Sequence, residues 1–368
     1  MKQPWIYSAK MDGAFILAPA LLISAIILLF QNNIIAVETM PIWLWGVLVI
    51  GVDVAHVYST IFRTYADPKE FRARHTLYTL TPLICWAIGT LLYSIDGSVF
   101  WRAITYFAVF HFIRQQYGFM MIYSRNEKHG KLYRQLDELA IYMATIYPLI
   151  YWHTHLPRHF DWFIEGDFMA VHLPWLNSAA LALYAVILVA YVAKEIWQSA
   201  KTRSLNIPKN LLLLGTIISW WVGIVALDND IAFTAANVIA HGVPYIALIW
   251  IFGRNQGQVE PKRKLFGNIP IQRFFTIRFL PIFIGILLAL AYLEEGLWDG
   301  FIWTEHKRIF APLHILPALD DKSTLAWLIP LLALPQLTHY ALDAFIWRMR
   351  SKNTDWKKVL FYQSEKNA

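Results

Sequence analysis

An all-α integral membrane protein, with about ten transmembrane helices in a polytopic bundle and both termini cytoplasmic, is the fold class this chain predicts. Three observations carry that reading. Of 368 residues, 57% are hydrophobic and only 15% charged, against about 25% charged in soluble domains. Apolar runs long enough to cross a hydrocarbon core of about 30 Å recur along the chain. Lysine and arginine gather in alternate loops, the pattern that marks the cytoplasmic side. The mean hydropathy of +0.42 and the 17 Trp, 18 Tyr and 23 Phe agree, because amphipathic rings sit well at two membrane interfaces.

Ten apolar segments are predicted to span, centred near Leu22, Gly51, Trp86, Phe110, Thr145, Ala185, Ile218, His241, Gly285 and Leu337. The first follows Lys2 and Lys10 like the apolar region of a signal peptide. Its length, and the lack of a small-residue cleavage site, favour a retained helix. Basic residues then mark one side: Arg63 to Arg74 after segment two, Arg125 to Arg134 after four, Lys194 to Lys209 after six, Arg254 to Arg278 after eight, and Arg348 to Lys358 after ten. The intervening loops carry Glu38, Asp96, Asp161, Glu165, Asp167, Asp228, Asp230, Glu294, Glu295 and Asp299, with Lys307, Arg308 and Lys322 breaking the pattern in the last. The net charge of +7 therefore sets topology and does not point to nucleic acid. Residues 1–368 read as a single polytopic membrane domain, without repeat, soluble domain or low-complexity linker. Cys85, the single cysteine, rules out an intrachain disulfide and a thiolate metal cluster.

An ionisable side chain at the bilayer centre costs roughly 2.5 to 3.5 kcal/mol on insertion scales, so such residues face protein interiors and mark function. Here they fall in four even-numbered segments. Segment two has Asp53 and His56 at i,i+3; segment four has His111 with Arg114 and Gln115; segment eight has Asn237 and His241; segment ten has His339 and Asp343, both of the last at i,i+4. Residues three or four apart share a helix face, so each group can address one centre. From each histidine to the next cytoplasmic arginine is 7, 14, 13 and 9 residues respectively. That places all four roughly 10 to 20 Å below the cytoplasmic surface, at about 1.5 Å per residue.

Taken singly, each histidine has a structural reading as a neutral imidazole bonded to a neighbouring helix. Four at similar depth, joined by two aspartates, point instead to a buried metal centre. Asp53, His56, His111, His241, His339 and Asp343 are the expected ligands, with Gln115 and Asn237 hydrogen-bonded behind them. Imidazole and carboxylate without thiolate suit iron, here two ions, with zinc or manganese as alternatives. Arg114 cannot ligate a cation; it is expected to pair with Asp53 or Asp343, or to bind an anionic substrate group. Tyr117, Tyr245 and Tyr340 are candidate hydrogen-bond donors or acids near the site, with Arg114, Tyr117 and Tyr340 the residues assigned to catalysis. His153, His155 and His159 read as a solvated outer loop, His172, His306 and His314 as outer-loop residues without a partner pattern, and His75 as a residue at the cytoplasmic edge beside an access route. No G-x-G-x-x-G, P-loop, G-x-S-x-G or H-E-x-x-H occurs, so nucleotide binding, serine hydrolysis and zincin proteolysis lack support.

A histidine and carboxylate site within the membrane acts on what reaches it from lipid. The expected function is a non-haem iron oxygenase, hydroxylase or desaturase acting on a lipid-like substrate, supplied by a separate electron donor, in a bacterial inner membrane. At class level the arrangement resembles the integral-membrane histidine-rich iron enzymes, such as fatty-acid desaturases, alkane hydroxylases and sterol hydroxylases. Those carry H-x-x-x-H and H-x-x-H-H boxes; this chain has no H-x-x-H-H, and its H-x-x-x-H, His155 to His159, lies in an outer loop. It is also loosely similar to bacterial membrane carotene-cleaving dioxygenases in its many spans and dispersed histidines. No residue roles carry over from either. Two rival readings are a bis-histidine haem protein for electron transfer and a proton- or metal-coupled transporter, the latter expected to show inverted repeats or a broken-helix pair that the sequence does not display.

Overall fold

The computed structural model describes residues 3–127, 130–313, 319–348 and 356–366; Lys2, Lys128, His314, Arg350 and Lys352 lie outside them. The chain is 79% helical, with no strand among the described residues. Its principal helices are α1 (Ala9–Leu29), α2 (Ile42–Arg63), α3 (His75–Ile95), α4 (Gly97–Tyr123), α5 (Lys131–Thr154), α6 (Pro174–Thr202), α7 (Ile207–Ala226), α8 (Asp230–Val259), α9 (Ile277–Trp303), α10 (Lys322–Leu332) and α11 (Leu334–Ile346). All ten predicted segments are thus helical.

Seven of these helices, α1 to α3 and α6 to α9, are long and apolar enough to cross a membrane, and the α10–α11 pair adds an eighth if it is one span. Helices α4 and α5 have the length, with 27 and 24 residues. Their hydropathy is lowered by Arg102, His111, Arg114, Gln115 and Gln116 in α4 and by Lys131, Arg134, Asp137 and Glu138 in α5. Segment ten differs from expectation in being bent by 45° between α10 and α11. Pro335 opens α11, and its ring and missing N–H interrupt the ladder at that point. A broken pair therefore exists. Only 11% of the most apolar stretch of α3 and 17% of that of α6 is buried by protein, which leaves rows of Leu, Ile and Val exposed, as on helices that face lipid.

Contacts group the chain into two compact units. The first comprises Met1–Pro41, Val109–Ala247 and Leu360–Ala368. In it α5 packs along α6, and α7 packs against α1 and α5. An aromatic core of Phe112, Trp152, Phe160, Phe168, Trp220 and Phe233 fills the unit. Asp12, fully buried, accepts hydrogen bonds from the main-chain N–H groups of Ile6, Tyr7 and Ser8 and from the Tyr123 hydroxyl, which folds the N-terminal arm against α4. Lys194 and Lys209, expected as solvated loop charges, are buried and paired with Asp137, Glu195 and Glu127. A buried charge persists only when paired, and α5 (Asp137), α6 (Glu195) and the segment before α5 (Glu127) supply the carboxylates.

The second unit comprises Ile42–Ala108 and Leu248–Val359. Here α3 packs against α10 and α11, and α9 packs against the 46–59 stretch of α2. Gly253 lets Phe275 lie on the α8 backbone; a Cβ there would stand 2.4 Å from the ring. Phe275 in turn joins Phe62, Phe274 and Phe283 in an aromatic cluster. Between α2 and α3, Asp67 caps the helix Pro68–Ala73 and receives Arg263, while Glu70 pairs with Arg63 and Arg74. Burial pushes the Glu70 carboxyl up, but Arg63, the Tyr78 hydroxyl and Arg74 together hold it below its ordinary range.

Candidate metal centre

Helix α2 is a π-helix over Gly46–Val54 and returns to α-geometry at Ala55–Ser59. π-Segments widen the turn and recur at functional sites because they re-aim the side chains that follow. The side chains re-aimed here are Asp53 and His56. His56 is 1% exposed, and its ring lies edge-on to that of His339 on α11, with centroids 5.0 Å apart. His339, itself 2% exposed, shares a 2.7 Å hydrogen bond between Nδ1 and Thr60 Oγ1. With Nδ1 so engaged, Nε2 is the nitrogen His339 has to offer a ligand. Asp53 Oδ1 lies 3.8 Å from His56 Nδ1, and Asp343 Oδ1 lies 3.9 Å from His339 Nδ1.

The second histidine pair joins α4 and α8. His111 and His241 are buried and edge-on, again with centroids 5.0 Å apart. Phe112 stacks on His241 at 3.6 Å and 8°, fixing the imidazole plane. Gln115 Nε2 donates to the main-chain carbonyl of His241 at 2.9 Å, which ties α4 to α8 at this level. Asn237 Nδ2 donates to the carbonyl of Phe233, within its own helix. Gly223 allows the π-segment Trp221–Ala226 to approach α8, since a Cβ there would meet Ala236 at 3.0 Å and Asn237 at 3.3 Å.

One nitrogen from each of His56, His111, His241 and His339 lies within 4.8 Å of the other three, and all four residues are buried. Four donors around an ion at about 2.1 Å sit roughly 3.4 Å apart in a tetrahedron. A square set around a six-coordinate ion has edges of about 3 Å and diagonals of about 4.2 Å. Either fits the observed spacing with ring movements of about 1 Å or less. Neutral imidazoles in a dry interior form a donor set for a divalent transition metal. The four-histidine group can therefore hold a metal ion.

The other residues assigned from sequence fall in three places. Asp53 and Asp343 flank histidines of this group and are not among its four convergent donors. Tyr340 is buried, with its ring 5.6 Å from that of His339 and 5.7 Å from that of Phe107; Tyr245 is also buried. Arg114 and Tyr117 depart from expectation. Arg114 is exposed; its guanidinium donates to the Tyr142 hydroxyl and lies over the Tyr117 ring, so it pairs with neither Asp53 nor Asp343. Tyr117 donates to Glu138 at 3.4 Å. Six residues beyond His111, it sits about two-thirds of a turn around α4. His159 is bound to Asp228 in the outer loop, as a solvated group would be. His306, expected without a partner pattern, stacks on Trp45 and faces Asp299.

Comparison with protein-family models, curated proteins and solved structures finds no match for this chain. Sequence reasoning missed Thr60, Phe112 and Glu294. Thr60 lies one turn after His56 but bonds His339, 279 residues away, a pairing no local spacing signals; Phe112 is one apolar ring among many. Glu294 was assigned to an outer loop, but α9 runs on through it to Trp303, and its side chain is 4% exposed.

Proposed function

We propose that this chain is a membrane-embedded non-haem iron oxidoreductase, an oxygenase, hydroxylase or desaturase that acts on a lipid-like substrate reaching it from the bilayer. The observation that carries the reading is the convergence of four buried imidazole nitrogens within 4.8 Å. It favours one ion over two. Paired catalytic ions stand about 3.5 to 4 Å apart, each with its own donors, whereas these four nitrogens share a single volume. The same compactness disfavours haem, since a porphyrin between two axial nitrogens would occupy the space of the other two. Iron held here would supply oxidising chemistry at an aliphatic C–H or C=C bond. Reducing equivalents for hydroxylation or desaturation would come from a separate donor protein. The reading also takes ten spans, with both termini cytoplasmic in a bacterial inner membrane.

In this reading the residues have distinct tasks. His56, His111, His241 and His339 hold the ion. Thr60 bonds Nδ1 of His339, the outer-sphere arrangement that keeps an imidazole in one tautomer, and Asp53 and Asp343 place carboxyl groups beside His56 and His339. Phe112 and its aromatic neighbours Trp162 and Trp152 keep water from the His111–His241 side. Tyr340 packs its ring 5.6 Å from that of His339.

Metal analysis of the purified full-length chain tests the proposal. About one iron per chain is expected, no Soret band, and a loss of most of that iron in His339→Ala with folding in detergent retained. Stoichiometric haem, or an absence of transition metal after expression in iron-replete medium, would overturn it.

A further inference from the structure

Glu294 is a buried carboxyl group that the metal-centre reading does not use. It lies on α9 where that helix packs against the 46–59 stretch of α2. Its side chain is 4% exposed, and neither carboxyl oxygen has a donor at hydrogen-bond geometry, although Tyr58 and Trp298 stand beside it. Asp53 and Glu295 are its electrostatic neighbours, and both interact with it through charge. Among the described residues, no Lys or Arg is one of the groups acting on these carboxyls through charge. Asp53 keeps 35% of its side-chain surface exposed, directly beside His56. Asp53 is thus the partly exposed end, and Glu294 the buried end, of a pair of carboxyl groups that interact through charge within an apolar surrounding.

An unsatisfied buried carboxyl group is costly, and more so in lipid, where bulk water is not at hand to complete it. We propose that Glu294, with Asp53 at the partly exposed end, binds the hydrogen-bond-donating head of an otherwise apolar substrate, either a hydroxyl or an ammonium group. This rests on the membrane-oxidoreductase reading for the role of the bound molecule. It does not rest on that reading for the binding itself. Glu294 is thereby a positioning residue: it fixes one end of the chain molecule beside α2, so that a carbon further along lies toward His56.

Binding of defined probes to the full-length protein in detergent separates the possibilities. Radiolabelled hexadecanol, hexadecylamine and hexadecane would be titrated against wild-type protein, Glu294→Met and Glu294→Gln, each with zinc and again after chelation. The expected result is a preference of about tenfold or more for the alcohol or the amine over the alkane. Glu294→Met abolishes that preference while alkane affinity stays within about twofold. Glu294→Gln keeps the preference if the head is a hydroxyl and loses it if the head is an ammonium, because the amide oxygen still accepts but the charge is gone. Chelation leaves the preference in place, so failure of the metal proposal and failure of this one are read separately. Equal binding of all three probes to the wild type overturns the inference, as does a Glu294→Met protein that folds and retains the preference.

Discussion

At His339 a key interaction is the 2.7 Å hydrogen bond between Nδ1 and Thr60 Oγ1. It holds the ring against rotation and leaves Nε2 for the group of four. Outer-sphere partners of this kind are worth about 10- to 100-fold in metal affinity. Thr60→Val keeps the shape and removes the hydroxyl, so metal affinity, measured by competition with a chromophoric chelator, is expected to fall by that factor. Thr60→Ser should restore most of it. An unchanged affinity in Thr60→Val would assign orientation of the ring to Asp343 alone, at 3.9 Å. The histidines themselves were legible in the sequence for a physical reason: lipid makes each buried imidazole expensive, so His56, His111, His241 and His339 stand out from their apolar neighbours. Thr60 was not legible, because a hydroxyl can satisfy itself on its own helix and is therefore cheap and frequent in membrane spans. The expected pairing of Arg114 with an aspartate failed for the opposite reason. Its charge demanded a partner, and the Tyr117 ring and Tyr142 hydroxyl met that demand on the outer side of α4.

Between helices, the clearest energetic unit is the charge cluster of α5, α6 and α7. Lys209 Nζ lies 2.6 Å from Glu195, 2.8 Å from Glu127 and 3.6 Å from Asp137, and Lys194 joins Glu195 and Asp137. Lys209 is 0% exposed, so its removal would strand carboxylates without their central cation. Breaking a buried pair from one side costs about 3 to 5 kcal/mol. Lys209→Met should therefore lower the detergent melting temperature by several degrees or more. A shift under about one degree would show that the cluster contributes little. Sequence alone assigned these lysines to topology, because, apart from Glu195 next to Lys194, their partners are separated from them by 14 to 82 residues and pairing at that range leaves no local pattern. The α-helical segments were far easier to read, since every predicted centre lies in a helix. Their ends were not. Helix α9 continues past the expected span length to place Glu294 in the interior, and Pro335 breaks segment ten where apolarity continues unbroken.

For the chain as a whole, the number of crossings and the side on which the termini lie are linked by parity. Seven spans, the helices that are apolar enough by themselves, put the two ends on opposite sides of the membrane. Counting α10–α11 as one crossing gives eight, and adding α4 and α5 gives ten; either even number puts both ends on one side. Basic residues beside the N-terminal segment, at Lys10, and beyond the last, at Lys357 and Lys358, favour the even count with both ends cytoplasmic. The polar content that keeps α4 below the apolar threshold includes His111, one of the four convergent histidines, and Gln115, which bonds the His241 carbonyl. A helix that brings a ligand to the centre of a membrane protein is made less hydrophobic by that task, so function hides it from a hydropathy count. The test uses Cys85→Ser as background, with single cysteines placed at Lys10, Glu165 or Lys358 and a membrane-impermeant maleimide applied to intact cells. Glu165→Cys is expected to react from outside, and Lys10→Cys and Lys358→Cys only after lysis. Labelling of Lys10→Cys and Lys358→Cys from opposite sides would establish an odd number of crossings. It would remove either α10–α11 or one of α4 and α5 from the set of spanning helices.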